Sequence, residues 1–187
     1  IEVSGEGQGM IGFILLVIGA VFGSFLNVVI YRLPRKMSIV KPPSHCPVCG
    51  ERIKPYDNIP ILSYIILRGR CRNCGAMISP RYTIVESIVA FSFLFGYFRF
   101  GLGIEYIGFV LLTLFLVPIA FIDLDVMLIP DSIAIPGIVT GLLVGIFRGF
   151  AVQSFIGGVA GAGTILFFYY VGKLIYKREA MGLGDVR

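Results

Sequence analysis

The chain reads as an all-α polytopic membrane protein, and three features of its 187 residues say so. Hydrophobic residues make up 57% and charged residues 14%, where soluble domains hold roughly 45–50% and about 25%. The apolar residues fall in uncharged runs long enough for helices that cross a hydrocarbon core of about 30 Å. The basic residues are gathered into alternate connections between those runs. A soluble globular chain and a disordered one are both excluded.

Residues 1–9 are polar and precede Met10, which would make a natural first residue, so this stretch is expected to be a tag or linker. Residues 10–31 form the first run, 22 residues without a charge. It exceeds the core of a signal peptide, has its basic residues after it rather than before it, and is followed by no small-residue cleavage pattern. It is therefore read as an anchoring helix. Residues 82–98 form a second span if Glu86 is tolerated within it. Further uncharged runs cover 106–122, 132–147 and 149–172, giving about five transmembrane helices in all.

Of the 16 Lys and Arg, ten lie between Arg32 and Arg81 and four between Lys173 and Arg187. With five alternating crossings, these two segments and the 123–131 connection share one side, which the positive-inside rule makes cytoplasmic. That bias accounts for the net charge of +5, and no nucleic-acid partner is expected. The lipid bilayer is the expected surrounding.

Residues 32–81 form the one polar insertion, and it holds all four cysteines: Cys46-Pro-Val-Cys49-Gly50 and Cys71-Arg-Asn-Cys74-Gly75. Two Cys-x-x-Cys-Gly knuckles 21 residues apart complete the four-thiolate tetrahedral shell that zinc prefers. Disulfides are rare in a reducing cytoplasm, so Cys46, Cys49, Cys71 and Cys74 are expected to bind structural zinc that helps so small a segment fold. His45 is read as a solvated neighbour, since four thiolates already fill the shell. The apolar stretch Ile61 to Leu67 is too short to cross a membrane. It is expected to pack beside the metal or lie on the membrane surface.

A carboxylate at membrane depth costs at least about 2.5 kcal/mol unless paired, protonated or hydrated. Glu86, Asp123, Asp125, Asp131 and Asp185 lie near span ends, and the crossing count brings all five to the cytoplasmic side. Two carboxylates meeting at a wet boundary can share one proton, one activating water as a base while the other polarises a carbonyl. Asp131, after Pro130, reads as a first-turn residue favoured by the helix dipole. Asn27 reads as a helix-packing group. For Glu86, helix packing and a functional role stand level.

Several motifs occur in one order: Gly23-Ser-Phe-Leu-Asn-Val-Val-Ile-Tyr-Arg-Leu-Pro34, the double Cys-x-x-Cys, Pro80-Arg-Tyr82 through Glu86, Ile122-Asp123 through Pro130-Asp131, and Gly182-Leu-Gly-Asp185. This set resembles the type IV prepilin peptidases, membrane aspartyl proteases of the GxGD class, from about Met10 to the last residue. The resemblance implies a bacterial inner-membrane enzyme acting at the cytoplasmic face. It removes the basic leader of type IV prepilins or type II secretion pseudopilins and N-methylates the new N-terminal residue with S-adenosylmethionine. Matched by motif, its catalytic pair falls on Asp123 and Asp185, within a protease domain spanning 82–187. The family continues past the Gly-x-Gly-Asp motif, so C-terminal helices are expected to be missing after Arg187 and the 187-residue fragment to cleave weakly or not at all. Two rivals are weighed: a proton or cation transporter built on the same carboxylates, and an assembly adaptor that grips a partner through its zinc knuckles.

Overall fold

The computed structural model describes residues 5–176, and its elements are helices joined by turns. They run α1 (Gly5–Arg32), α2 (Leu62–Ile66), α3 (Arg81–Phe100), α4 (Ile104–Val126), α5 (Asp131–Phe147) and α6 (Ala151–Tyr176), with a 3-10 turn at Pro55–Asp57. Among the described residues the only β pairing is two isolated bridges in the insertion, His45 with Arg52 and Arg70 with Met77. Three helices, α1, α3 and α4, are long and apolar enough to cross a membrane. The apolar α5 has 17 residues and α6 has 26, and both coincide with the remaining uncharged runs. α1 begins at Gly5, so residues 5–9 carry helix ahead of Met10.

The chain divides after Tyr106 into two compact units. In the first, α1 and α3 pack along their length. Apolar side chains gain little by leaving lipid for one another, so close helix packing in a membrane depends on small residues that let backbones meet. α1 supplies them as Gly19-Ala-Val-Phe-Gly23. A Cβ on Gly19 would stand 2.8 Å from the Cα of Ala90, and one on Gly23 only 2.6 Å from the Cα of Glu86. Around this seam Leu26 and Ile30 of α1 and Val85, Val89 and Phe93 of α3 are buried. Phe22 and Phe93 stack with ring centres 5.8 Å apart.

In the second unit α4 and α5 are joined by residues 127–130. Proline lies inside both helices, at Pro118 and Pro136, where each removes one backbone donor. Thr140 donates its hydroxyl to the Pro136 carbonyl at 2.6 Å. Gly137 lies against the Phe115 ring and Gly108 against Val144. Gly145 leaves room for Ser154 of α6.

Candidate functional site

The two cysteine knuckles are copies of one local fold. In each, the first cysteine's N–H bonds to the carbonyl five residues on, Cys46 to Glu51 at 2.9 Å and Cys71 to Ala76 at 2.8 Å. The glycine after each second cysteine donates back to the first cysteine's carbonyl, Gly50 to Cys46 and Gly75 to Cys71, both at 2.9 Å. Those glycines have φ of +71° and +73°, a left-handed conformation that costs a side-chain-bearing residue about 1–2 kcal/mol. The turn thus requires the glycine, and the turn aims both thiols inward.

All four Sγ atoms lie within 4.8 Å of one another, and Cys46 and Cys74 are 3.8 Å apart. A zinc ion with Zn–S bonds of about 2.3 Å requires sulfur separations of about 3.8 Å at the tetrahedral angle. The donor set and its spacing fit zinc. The Glu51 backbone amide, helped by the Asn73 side chain, draws the Cys49 thiol down to about 7. At Cys74 the Ala76 amide favours the thiolate, but desolvation and the neighbouring sulfurs outweigh it and push the group up to about 11. Crowded sulfurs of this kind hold their last proton until a cation displaces it. The exposed His45 ring lies 3.1 Å from the Pro43 carbonyl through Nδ1, outside the sulfur cluster, as expected of a solvated neighbour.

The insertion is tied to the spans by buried polar groups. Arg32, at the end of α1, is 6% exposed and donates to the carbonyls of Ser38 at 2.9 Å and Pro42 at 2.7 Å. Asn27 donates Nδ2 to the Tyr82 carbonyl at 2.9 Å, joining α1 to the first turn of α3 as its helix-packing reading expects. Glu86 Oε2 accepts the backbone N–H of Ile61 at 2.7 Å, with the Ser24 hydroxyl of α1 beside the carboxylate. Within the insertion, Arg72 forks onto Asp57 through Nε and a guanidinium nitrogen at 2.7–3.1 Å. The guanidinium holds the Asp57 carboxyl below its ordinary range.

These ties line an open-mouthed cavity of about 880 Å³ between α1, α3 and the insertion. Asn27, Arg32, Tyr82 and Glu86 contribute polar groups to its wall, and Phe25, Ile61 and Leu67 apolar ones. Sites for drug-sized molecules span roughly 300–1,000 Å³ and combine an apolar lining with a few polar groups. By size and lining the cavity can hold a ligand as large as a nucleoside derivative.

In the second unit, half-buried Asp123 stands in the last turn of α4, beside the fully buried Ile122, and its carbonyl accepts the Met127 N–H at 2.8 Å. Asp125 is exposed. Asp131 opens α5 after Pro130, the position of a first-turn residue. Asp185 lies outside the described residues.

Two family models match consecutive parts of the chain: "Bacterial Peptidase A24 N-terminal domain" over residues 17–100 and "Type IV leader peptidase family" over residues 110–187. A Pseudomonas putida prepilin leader peptidase/N-methyltransferase is 35% identical over 91% of this chain and 68% of its own length. The chain belongs to the type IV leader peptidase family. Relatives of the same name include one from Klebsiella pneumoniae, 35% identical over 94% of this chain and 81% of the relative. Another, from Myxococcus xanthus, is 42% identical over 91% of this chain, which spans only 52% of that protein. No solved structure matches the chain. The two family matches meet between residues 100 and 110, where the chain also divides by packing.

Sequence reasoning did not assign roles to Arg32 or to the Glu86–Ile61 contact. For Arg32 the partners are the Ser38 and Pro42 carbonyls, whose positions depend on how the loop folds. For Glu86 the partner is a backbone amide 25 residues away, which leaves no mark on residue type.

Proposed function

We propose that the protein removes the basic leader of type IV prepilins or type II secretion pseudopilins and N-methylates the residue thereby exposed. The observation that carries this reading is its likeness, at 34–42% identity, to proteins named for both activities. Asp123 and Asp185 are the proposed hydrolytic pair. At a wet membrane boundary they share one proton: the ionised carboxylate takes a proton from water as it attacks the scissile carbonyl, and the protonated one donates to that carbonyl oxygen. No metal takes part in this step. The inner membrane is the proposed location, with the insertion and the aspartates on its cytoplasmic side, where a basic leader is retained.

Cys46, Cys49, Cys71 and Cys74 would hold zinc as a structural ion that folds the insertion. S-adenosylmethionine is the proposed methyl donor, an activated sulfonium that supplies the methyl group. The cavity beside Asn27, Arg32 and Glu86 has the size and mixed lining for it, and Glu86 offers a carboxylate to a substrate amine. The transporter and adaptor readings gain nothing from the comparisons.

The test is incubation of membranes carrying the full-length enzyme with a prepilin and S-adenosylmethionine, read by mass spectrometry. Loss of the leader mass and gain of one methyl group on the mature pilin are expected. An unchanged prepilin in the presence of folded, zinc-loaded protein would overturn the reading.

A further inference from the structure

Residues 59–67 (Ile-Pro-Ile-Leu-Ser-Tyr-Ile-Ile-Leu) carry no charge, and their depth can be measured against the spans. Gly23 of α1 and Glu86 of α3 touch backbone to backbone, and Glu86 holds the Ile61 N–H. Ile61 therefore lies within one glutamate side chain's reach of the level of Gly23, on the insertion side of it. Tyr31, where the uncharged run of α1 ends, is eight residues farther along, about 12 Å at the helical rise. On α3, Tyr82 is one turn nearer the insertion than Glu86, about 6 Å. Tyrosines at span ends sit at headgroup level. The segment thus returns to about the level of Tyr82, inside that of Tyr31, at the boundary between headgroups and acyl chains.

The local structure suits that depth. Ile61, at φ +63° and ψ −53°, is a β-branched residue in a region where such residues are outliers, so its neighbours must hold it there. The Glu86 carboxylate on its N–H is one such hold. The backbone is satisfied internally, Ser63 N–H to Ile59 O at 3.0 Å, Ile65 to Ile61 at 3.2 Å and Leu67 to Ser63 at 2.9 Å, and the Ser63 hydroxyl donates to the Tyr56 carbonyl at 3.2 Å. Hydrocarbon demands this of any backbone that enters it. Ile61, Ser63, Tyr64 and Leu67 turn toward the cavity. Leu62, Ile65 and Ile66, at the i, i+3, i+4 positions of one face, turn outward and are 56%, 63% and 69% exposed. On the spans, Phe25 of α1 and Ile84 of α3 are likewise 49% and 50% exposed.

We propose that α2 is a membrane anchor, its Leu62, Ile65 and Ile66 face seated among lipid acyl chains on the insertion's side of the bilayer. The inference rests on α1 and α3 spanning the membrane and not on the catalytic reading. It holds the cavity at the lipid boundary, with α2 as a wall between the cavity and the bilayer.

The chain has no tryptophan, so a single introduced indole reports alone. Ile65→Trp and Ile66→Trp are made in the full chain and reconstituted in phosphatidylcholine and phosphatidylglycerol vesicles, with Met77→Trp, at a position 87% exposed, as the wet reference. Emission from positions 65 and 66 should be blue-shifted from the reference and fall by about half when acyl chains carry bromine, as expected for side chains buried at the acyl boundary. Emission and quenching equal to the reference would place the face in water. A blue shift without bromolipid quenching would mean that protein, such as an apolar substrate helix, covers it. Either result overturns the proposal. In the unsubstituted protein, a lipid with a photoactivated acyl-chain carbene should label peptide 53–68 as well as α1, and labelling of α1 alone would equally contradict it.

Discussion

Cys49 and Cys71 face the same ion site from different knuckles, so Cys49→Ser or Cys71→Ser leaves three thiolates, too few for a closed structural shell. Each variant should fall from one bound zinc per chain to none, measured by elemental analysis of protein purified in membranes or detergent. Gly50→Ala and Gly75→Ala keep every ligand but force a side chain into the left-handed region. They should retain zinc yet lose about 1 kcal/mol of stability, read from the chelator concentration that strips the metal. The Asp57 carboxyl titrates below its ordinary value because Arg72 stabilises the ionised form. Its contribution is present above the ordinary carboxylate range and is lost as pH falls through the lowered value. Amide protection in the Pro55–Asp57 turn, taken relative to the intrinsic exchange rate at each pH, should therefore fall on the acid side in the wild type, and Asp57→Asn should show low protection on both sides. At this scale the cysteines were legible because a knuckle is local: ligand, turn and glycine lie within five residues. Arg32 was not, because its partners are main-chain carbonyls whose positions depend on how the loop folds.

Three of the spans were legible as elements because an apolar run is read directly from the order of residues, and α1, α3 and α4 contain such runs. The contact that positions them was less so. Glycines recur throughout the chain, and only packing distinguishes Gly19 and Gly23, which carry the α1–α3 seam, from Gly157 or Gly161, which have nothing within 4 Å of a built Cβ. Gly23→Val should drive α1 from α3 and cost about 1–3 kcal/mol through overpacking, seen as a lower thermal midpoint in detergent. Gly161→Val should leave the midpoint unchanged. The same packing brings Glu86 to the level of α2. A carboxylate inside an apolar helix announced a buried polar contact, but not which amide would satisfy it.

For the whole molecule, family membership and the double knuckle point to one arrangement: a first unit that carries the four-cysteine cluster and the cavity, and a second that carries Asp123. The order of motifs along the chain was readable without coordinates because each motif is short. The meeting of Asp123 with Asp185 was not readable, since it depends on how distant helices assemble, and Asp185 lies outside the described residues. The central claim is that these two carboxylates together hydrolyse the leader bond. It is tested most directly by assaying membranes carrying Asp123→Asn, Asp185→Asn or the wild type on an intact prepilin and on a pre-cleaved pilin, following both masses. The account predicts that either substitution reduces cleavage by at least about a hundredfold, the scale of a lost acid or base, while methylation of the pre-cleaved pilin persists. Leader removal at the wild-type rate by either variant would contradict it.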